Sequence, residues 1–166
     1  LAPLGDRRRA IRLMGLQRWR RLLPGLWAGG LLCVAGLATP APFALLPQAD
    51  AGRVAGRMLA QEAYASLVLG IVLLVLERLV ARRESAAGQG SQFSTGMVLA
   101  LGAVFCTVAG YFALQPMMAA ARAGQGPLTF AQLHALSAVF YGVKVVLVAA
   151  LAWRAAGPGV IRRPSS

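Results

Sequence analysis

The stretch AQEAYASLVLGIVLLVLERL, residues 60–79, decides the fold. Between Glu62 and Glu77 it carries no charge, and its apolar residues run continuously instead of alternating. Crossing ~30 Å of hydrocarbon takes about 20 residues of helix, because only a helix or a closed barrel satisfies its own backbone hydrogen bonds there. A barrel strand would be shorter and would alternate. Three comparable windows lie on either side, near Leu22–Thr39, Met97–Gln115 and Leu133–Trp153. A chain of 166 residues that is 58% hydrophobic and only 13% charged is too apolar for a soluble domain of this size. The expected architecture is an all-α, integral membrane four-helix bundle: a basic tail over 1–21, four spans within 22–153, and a second tail over 154–166.

The formal net charge of +12 does not mark a nucleic-acid surface, because the arginines gather where spans end and not on one folded face. Arg7, Arg8, Arg9, Arg12, Arg18, Arg20 and Arg21 precede span one. Arg78, Arg82 and Arg83 follow span two, and Arg154, Arg162 and Arg163 follow span four. The other two gaps hold only Arg53, Arg57 and Arg122. The positive-inside rule therefore predicts both termini in the cytoplasm. Membrane lipids are the expected surroundings, with a second copy or another membrane protein as the expected partner and no nucleic acid. The Arg, Ala and Gly bias fits a GC-rich bacterial genome, hence a multi-pass protein of the bacterial inner (cell) membrane.

The first segment has no single apolar helical face and reads as a solvated topogenic tail. Its basic start and apolar run resemble a secretory signal, with Gly36 and Ala38 as small residues before a cut. The uncharged stretch continues through Phe43, Ala44, Leu45 and Leu46, however, which favours an uncleaved anchor. Gly30, Leu31 and Leu32 precede Cys33, and a bulky leucine there departs from a lipoprotein box. Among the connections, Glu84–Thr95 reads as a mobile Gly-, Ser- and Gln-rich loop. Gly124 to Pro127 reads as a turn, and Pro40–Arg57, with three prolines, as a kinked exit from span one. Thr129 followed by Gln132 fits a capping box that opens span four.

Small residues recur every four positions in span one (Gly25, Gly29, Cys33) and in span three (Gly102, Cys106, Gly110). Such rows let helices approach closely where lipid supplies no hydrophobic drive, which predicts spans one and three as interior neighbours. Cys33 and Cys106 are read as packing residues, with a disulfide or a soft-metal pair as the alternative.

Polar residues inside a bilayer are costly and are read first for function. Span four carries His134, Ser137, Tyr141 and Lys144, whose spacing confines them to an arc of roughly 80° that faces the bundle. His134 is expected near the outer boundary, at the level of Glu62, Gln61 and Gln115, so that these four form a candidate polar cluster. Lys144, the only lysine, is expected to snorkel or to pair with Glu77. A histidine beside a carboxylate can lock two helices, relay protons or ligate haem iron or copper. One His with one acid is short of a dedicated zinc site.

The run from Gly25 to Gly30, the exit through Pro42, Phe43 and Leu46, and the segment Ala51–Arg57 resemble the bacterial four-span domain of unknown function 4149, related to transmembrane protein 205. Phe130–Ser137 resembles that family's Leu-His and following Ser pattern, and the resemblance covers about residues 20 to 153. It implies a helical integral membrane protein without an established activity, loosely akin to copper-resistance-D-like and membrane haem proteins. Tyr141 and Gly142 stand where the family's Asn is expected, and the several histidines of a haem or copper member are missing. The expected role is structural, assembly or stress-related, with no catalytic residue, no metal and no cofactor. The alternatives are a haem b- or copper-handling protein using His134, or a small proton-coupled transporter.

Overall fold

The computed structural model describes residues 4–86 and 94–157, with side chains for residues 14–83, 85–86 and 94–157. Arg7, Arg8, Arg9, Arg12, Arg162, Arg163 and most of the Glu84–Thr95 connection therefore lie wholly or by their side chains outside the description. Six α-helices follow in order: α1 (Leu4–Cys33), α2 (Ala41–Leu45), α3 (Gln48–Ala86), α4 (Thr95–Thr107), α5 (Leu114–Arg122) and α6 (Phe130–Ala156). Two π turns, Val34–Ala38 and Val108–Ala113, interrupt the first and third spans, and no strand occurs among the described residues. Four helical runs are long and apolar enough to cross a bilayer: Met14–Leu45, Gln48–Arg83, Thr95–Arg122 and Phe130–Ala156. This is the all-α four-span architecture that the apolar windows predict.

Short connections force neighbouring spans antiparallel. α1 packs on α3, α3 on α4, α4 on α6, and α6 back on α1, which closes a four-cornered ring. α1 and α4 occupy one diagonal, α3 and α6 the other. At most 33% of any spanning window is buried inside the protein, and Leu26, Leu37, Val68, Val98, Phe105 and Val146 are all exposed. So much exposed apolar surface belongs in lipid, not water.

Two expectations, for Pro40–Arg57 and for the small-residue rows, are corrected. The basic segment is helical where it is described: α1 begins at Leu4 and runs unbroken through Arg21 into the first span. Arg, Leu, Met and Gln are good helix formers, and extending an existing helix avoids a new nucleus. The Pro40–Arg57 stretch is mostly helix: Pro40 caps α2, and a proline at its first turn gives up an N–H that would have had no partner. α3 then starts at Gln48, its first turn carrying Asp50, and Ala51 and Ala55 are buried where α2 packs on it. The second correction concerns the small-residue rows. Gly25, Gly29 and Cys33 face outward, and a Cβ at either glycine would meet nothing within 4 Å. Spans one and three sit on a diagonal, and Cys33 and Cys106 are free thiols, the first exposed and the second buried.

The span-three row does pack closely, but against α6. A Cβ on Gly110 would stand 2.5 Å from Phe140 Cβ, and one on Gly102 3.1 Å from Leu147 Cδ1. Gly70 of α3 is tighter still, with Val104 Cγ2 in the place of any Cβ. The core between them is Trp27, Leu31, Leu73, Ala100, Ala103, Val148 and Leu151, and a smaller cluster of Leu114, Met118 and Leu133 fills the opposite end. The turn at Gly124 and Gly126 uses positive φ at both glycines, and the Thr129–Gln132 capping box opens α6 as its sequence predicts.

Gly110→Ala should lower stability by about 1–3 kcal/mol, because Phe140 Cβ cannot swing away. Gly29→Ala should leave stability unchanged or slightly raised through helix propensity. Thermal melting in detergent, followed by circular dichroism, separates the two; a Gly29→Ala loss matching that of Gly110→Ala would contradict the ring.

Candidate functional site

α3 and α6 enter from the same end of the bundle, and Glu62 and Lys144 each lie 14 residues beyond the first residue of their helix. At 1.5 Å per residue that is about 21 Å along each axis, so the two side chains meet at one depth across the diagonal. Lys144 Nζ donates to both carboxylate oxygens of Glu62 at 2.9 Å. The side chains are only 4% and 8% exposed. Ser66, one turn below Glu62 on the same face, donates its hydroxyl to that carboxylate and accepts from the Trp27 indole N–H at 2.8 Å. The Lys144 ammonium lies 4.5 Å from the Tyr141 ring centroid, and the Tyr141 hydroxyl donates to the Leu31 carbonyl at 2.9 Å. One polar network thus joins α1, α3 and α6 in the centre of the bundle.

A second carboxylate is held at the arginine-rich end. Glu77, 3% exposed, accepts two hydrogen bonds from Arg20, the Nη2 to Oε2 bond measuring 3.1 Å. Ser94 adds its hydroxyl at 2.9 Å while its own oxygen caps α4 by accepting from Met97 N. A Cβ on Gly96 would stand 2.5 Å from Glu77 Oε2, so a larger residue there would have to push the carboxylate off Arg20 and Ser94.

The predicted cluster of His134, Glu62, Gln61 and Gln115 is not assembled. Glu62 belongs to Lys144, Gln61 is exposed, Gln115 is half-buried, and His134 is exposed and stacked on Phe130, with ring centroids 5.7 Å apart. The sequence reading starts span two near Ala60; α3 in fact starts at Gln48, which sets Glu62 14 residues into the helix, away from the end where His134 sits. For the same reason Lys144 does not pair with Glu77, which lies 15 residues further along α3 than Glu62, about 22 Å away along the axis. The stripe on α6 does face the bundle at Ser137, Tyr141 and Lys144, with Ser137 donating to the Gly110 carbonyl at 2.7 Å. Among the described residues no three His, Cys, Asp or Glu side chains converge as a metal-binding group.

Sequence reasoning missed Trp27, Ser66, Arg20 and Ser94. Ser66 stands four residues after Glu62, the spacing that places two side chains on one helical face, and a buried indole N–H must find an acceptor. Those signals were present. Arg20 gave none, because its sequence context is that of any topogenic arginine.

The family described as "Domain of unknown function (DUF4149)" matches residues 22–127, well over half of the chain. The chain belongs to this family. No curated protein and no solved structure matches it. In this DUF4149 protein the matched stretch contains Trp27, Glu62, Ser66, Glu77 and Ser94, while Lys144 and Tyr141 come from the helix beyond it and Arg20 from just before it.

Removing one partner of a buried pair strands the other charge. Lys144→Leu is expected to cost about 3–5 kcal/mol, and Glu62→Leu/Lys144→Leu to recover most of that loss. Chemical unfolding in mixed lipid and detergent micelles measures both; a double variant as unstable as Lys144→Leu would show that the two charges are not one unit.

Proposed function

We propose that this protein is a structural or assembly component of the bacterial inner membrane, not an enzyme, with both termini in the cytoplasm and no resident cofactor. The observation that carries this reading is the closure of its intramembrane charges. Glu62 is consumed by Lys144 and Ser66, and Glu77 by Arg20 and Ser94, so each carboxylate ties helices together. A transport path needs charged groups that water or substrate can reach, whereas the Lys144 and Glu62 side chains are nearly sealed. His134, the only histidine of the chain, is exposed and stacks on Phe130, away from both carboxylates.

The crowding of Arg20, Arg21, Arg78, Arg82, Arg83 and Arg154 around one end supports a cytoplasmic assignment for that end. Cysteines introduced as Ala2→Cys and Ser165→Cys in a cysteine-free background should react with a membrane-impermeant maleimide only after the cytoplasmic face is opened. Labelling of either from intact cells would reverse the orientation.

In proteoliposomes, the wild type and Lys144→Leu should show the same proton permeability as empty vesicles. A proton current present in the wild type and lost in Lys144→Leu would replace the structural reading with coupled transport. A Soret band abolished by His134→Ala would replace it with haem binding.

A further inference from the structure

The arginine-rich end of the bundle is not flat. A cavity of about 230 Å³ opens there between α1, the start of α4 and the end of α6, lined by Gln17, Arg20, Arg21, Glu77, Ser94 and Arg154. Both Glu77 oxygens are taken, by Arg20 and by Ser94. Arg21 and Arg154 are exposed and form no ion pair among the described residues. Among the described side chains, no carboxylate neutralises these two guanidinium groups at the cavity rim.

The rest of the chain is short of anions to supply one. It has five acidic residues against 17 Lys and Arg. Asp50, Glu62 and Glu77 are engaged by Arg53, Lys144 and Arg20, which leaves only Asp6 and Glu84. Counter-anions for this end must come mainly from outside the polypeptide.

Two exposed tryptophans stand next to cavity arginines in the sequence: Trp19, 56% exposed, adjoins Arg20, and Trp153, 83% exposed, adjoins Arg154. Exposed tryptophan collects at the boundary between hydrocarbon and headgroups, whereas Trp27, at mid-bundle, is buried. The cavity thus lies at headgroup level, where phosphate is the abundant anion and guanidinium its preferred bidentate partner. Its volume falls below the roughly 300–1,000 Å³ of sites for drug-sized ligands, which suits a headgroup whose acyl chains remain in the bilayer.

We propose that this cavity binds the phosphate of an anionic phospholipid headgroup, with Arg21 and Arg154 as its principal ligands. The assignment does not depend on which compartment the end faces, nor on the structural role proposed above. Arg20 is committed to Glu77 and acts as a positioning residue that holds α1 against α3.

The test uses the purified full chain in maltoside micelles, titrated separately with dioleoylphosphatidylglycerol, dioleoylphosphatidylcholine and inorganic phosphate. Native mass spectrometry reads retained lipid, and thermal melting reads stabilisation. Phosphatidylglycerol should be retained at one molecule per chain and raise the melting midpoint, while phosphatidylcholine and inorganic phosphate do neither. Arg21→Gln/Arg154→Gln should weaken that binding by about tenfold or more with lipid-free melting unchanged, and Arg53→Gln/Arg57→Gln, at the opposite end, should bind as the wild type does. If the double variant melts early without lipid, Arg154→Gln alone carries the same comparison. Equal retention of phosphatidylcholine, undiminished binding by the double variant, or an equal loss in Arg53→Gln/Arg57→Gln would overturn the site. An equal shift with inorganic phosphate would overturn the lipid assignment in favour of a free phosphate.

Discussion

A lysine and a glutamate placed in hydrocarbon must find each other, and the geometry of this bundle follows from that requirement. Each charge alone at mid-membrane is penalised by about 2.5–3.5 kcal/mol even on the lenient scale of biological insertion. Paired and hydrogen-bonded, the two are tolerated, and because they lie on diagonal helices the pairing sets the register of α3 against α6. Ser66, Trp27 and Tyr141 then have fixed partners, which sets α1 against both. Polar bonds of this kind specify an arrangement more than they strengthen it.

Close packing has to permit that arrangement. Gly70 and Gly110 admit Val104 and Phe140 at distances no side chain would allow, drawing α4 and its π turn against α3 and α6. The two π turns also sit where interhelical hydroxyl bonds arrive: the Ser137 acceptor, Gly110, lies inside one, and the Tyr141 acceptor, Leu31, lies in the turn leading into the other. Insertion of a side chain into the backbone ladder is one of the recognised causes of such local unwinding.

The two ends of the bundle differ chemically. One is rimmed by arginine and exposed tryptophan around a cavity anchored by Glu77. At the other, Arg53 is bound to Asp50 and Arg122 lies over the Phe130 ring on which His134 stacks. Their charge differs because the paired residues use up the few acids available, so the excess accumulates where the arginines do.

The amino-acid sequence alone determined the class: four continuous apolar windows require helices in lipid, since nothing else satisfies the backbone there. It also determined the Thr129–Gln132 cap and the inward stripe of Ser137, Tyr141 and Lys144, because both depend on spacing within one helix. Which residue meets which was decided only in three dimensions. The sequence groups Glu62 with His134, Gln61 and Gln115 and leaves Lys144 to snorkel or to pair with Glu77, because a window of hydropathy says where lipid begins and not where a helix begins; the fold pairs Glu62 with Lys144. The twelve residues by which α3 precedes Ala60 moved every depth in that span. The row Gly25, Gly29 and Cys33 looked like an interface for the same reason: small residues permit close approach, but the order of helices around the ring determines whether a neighbour is there.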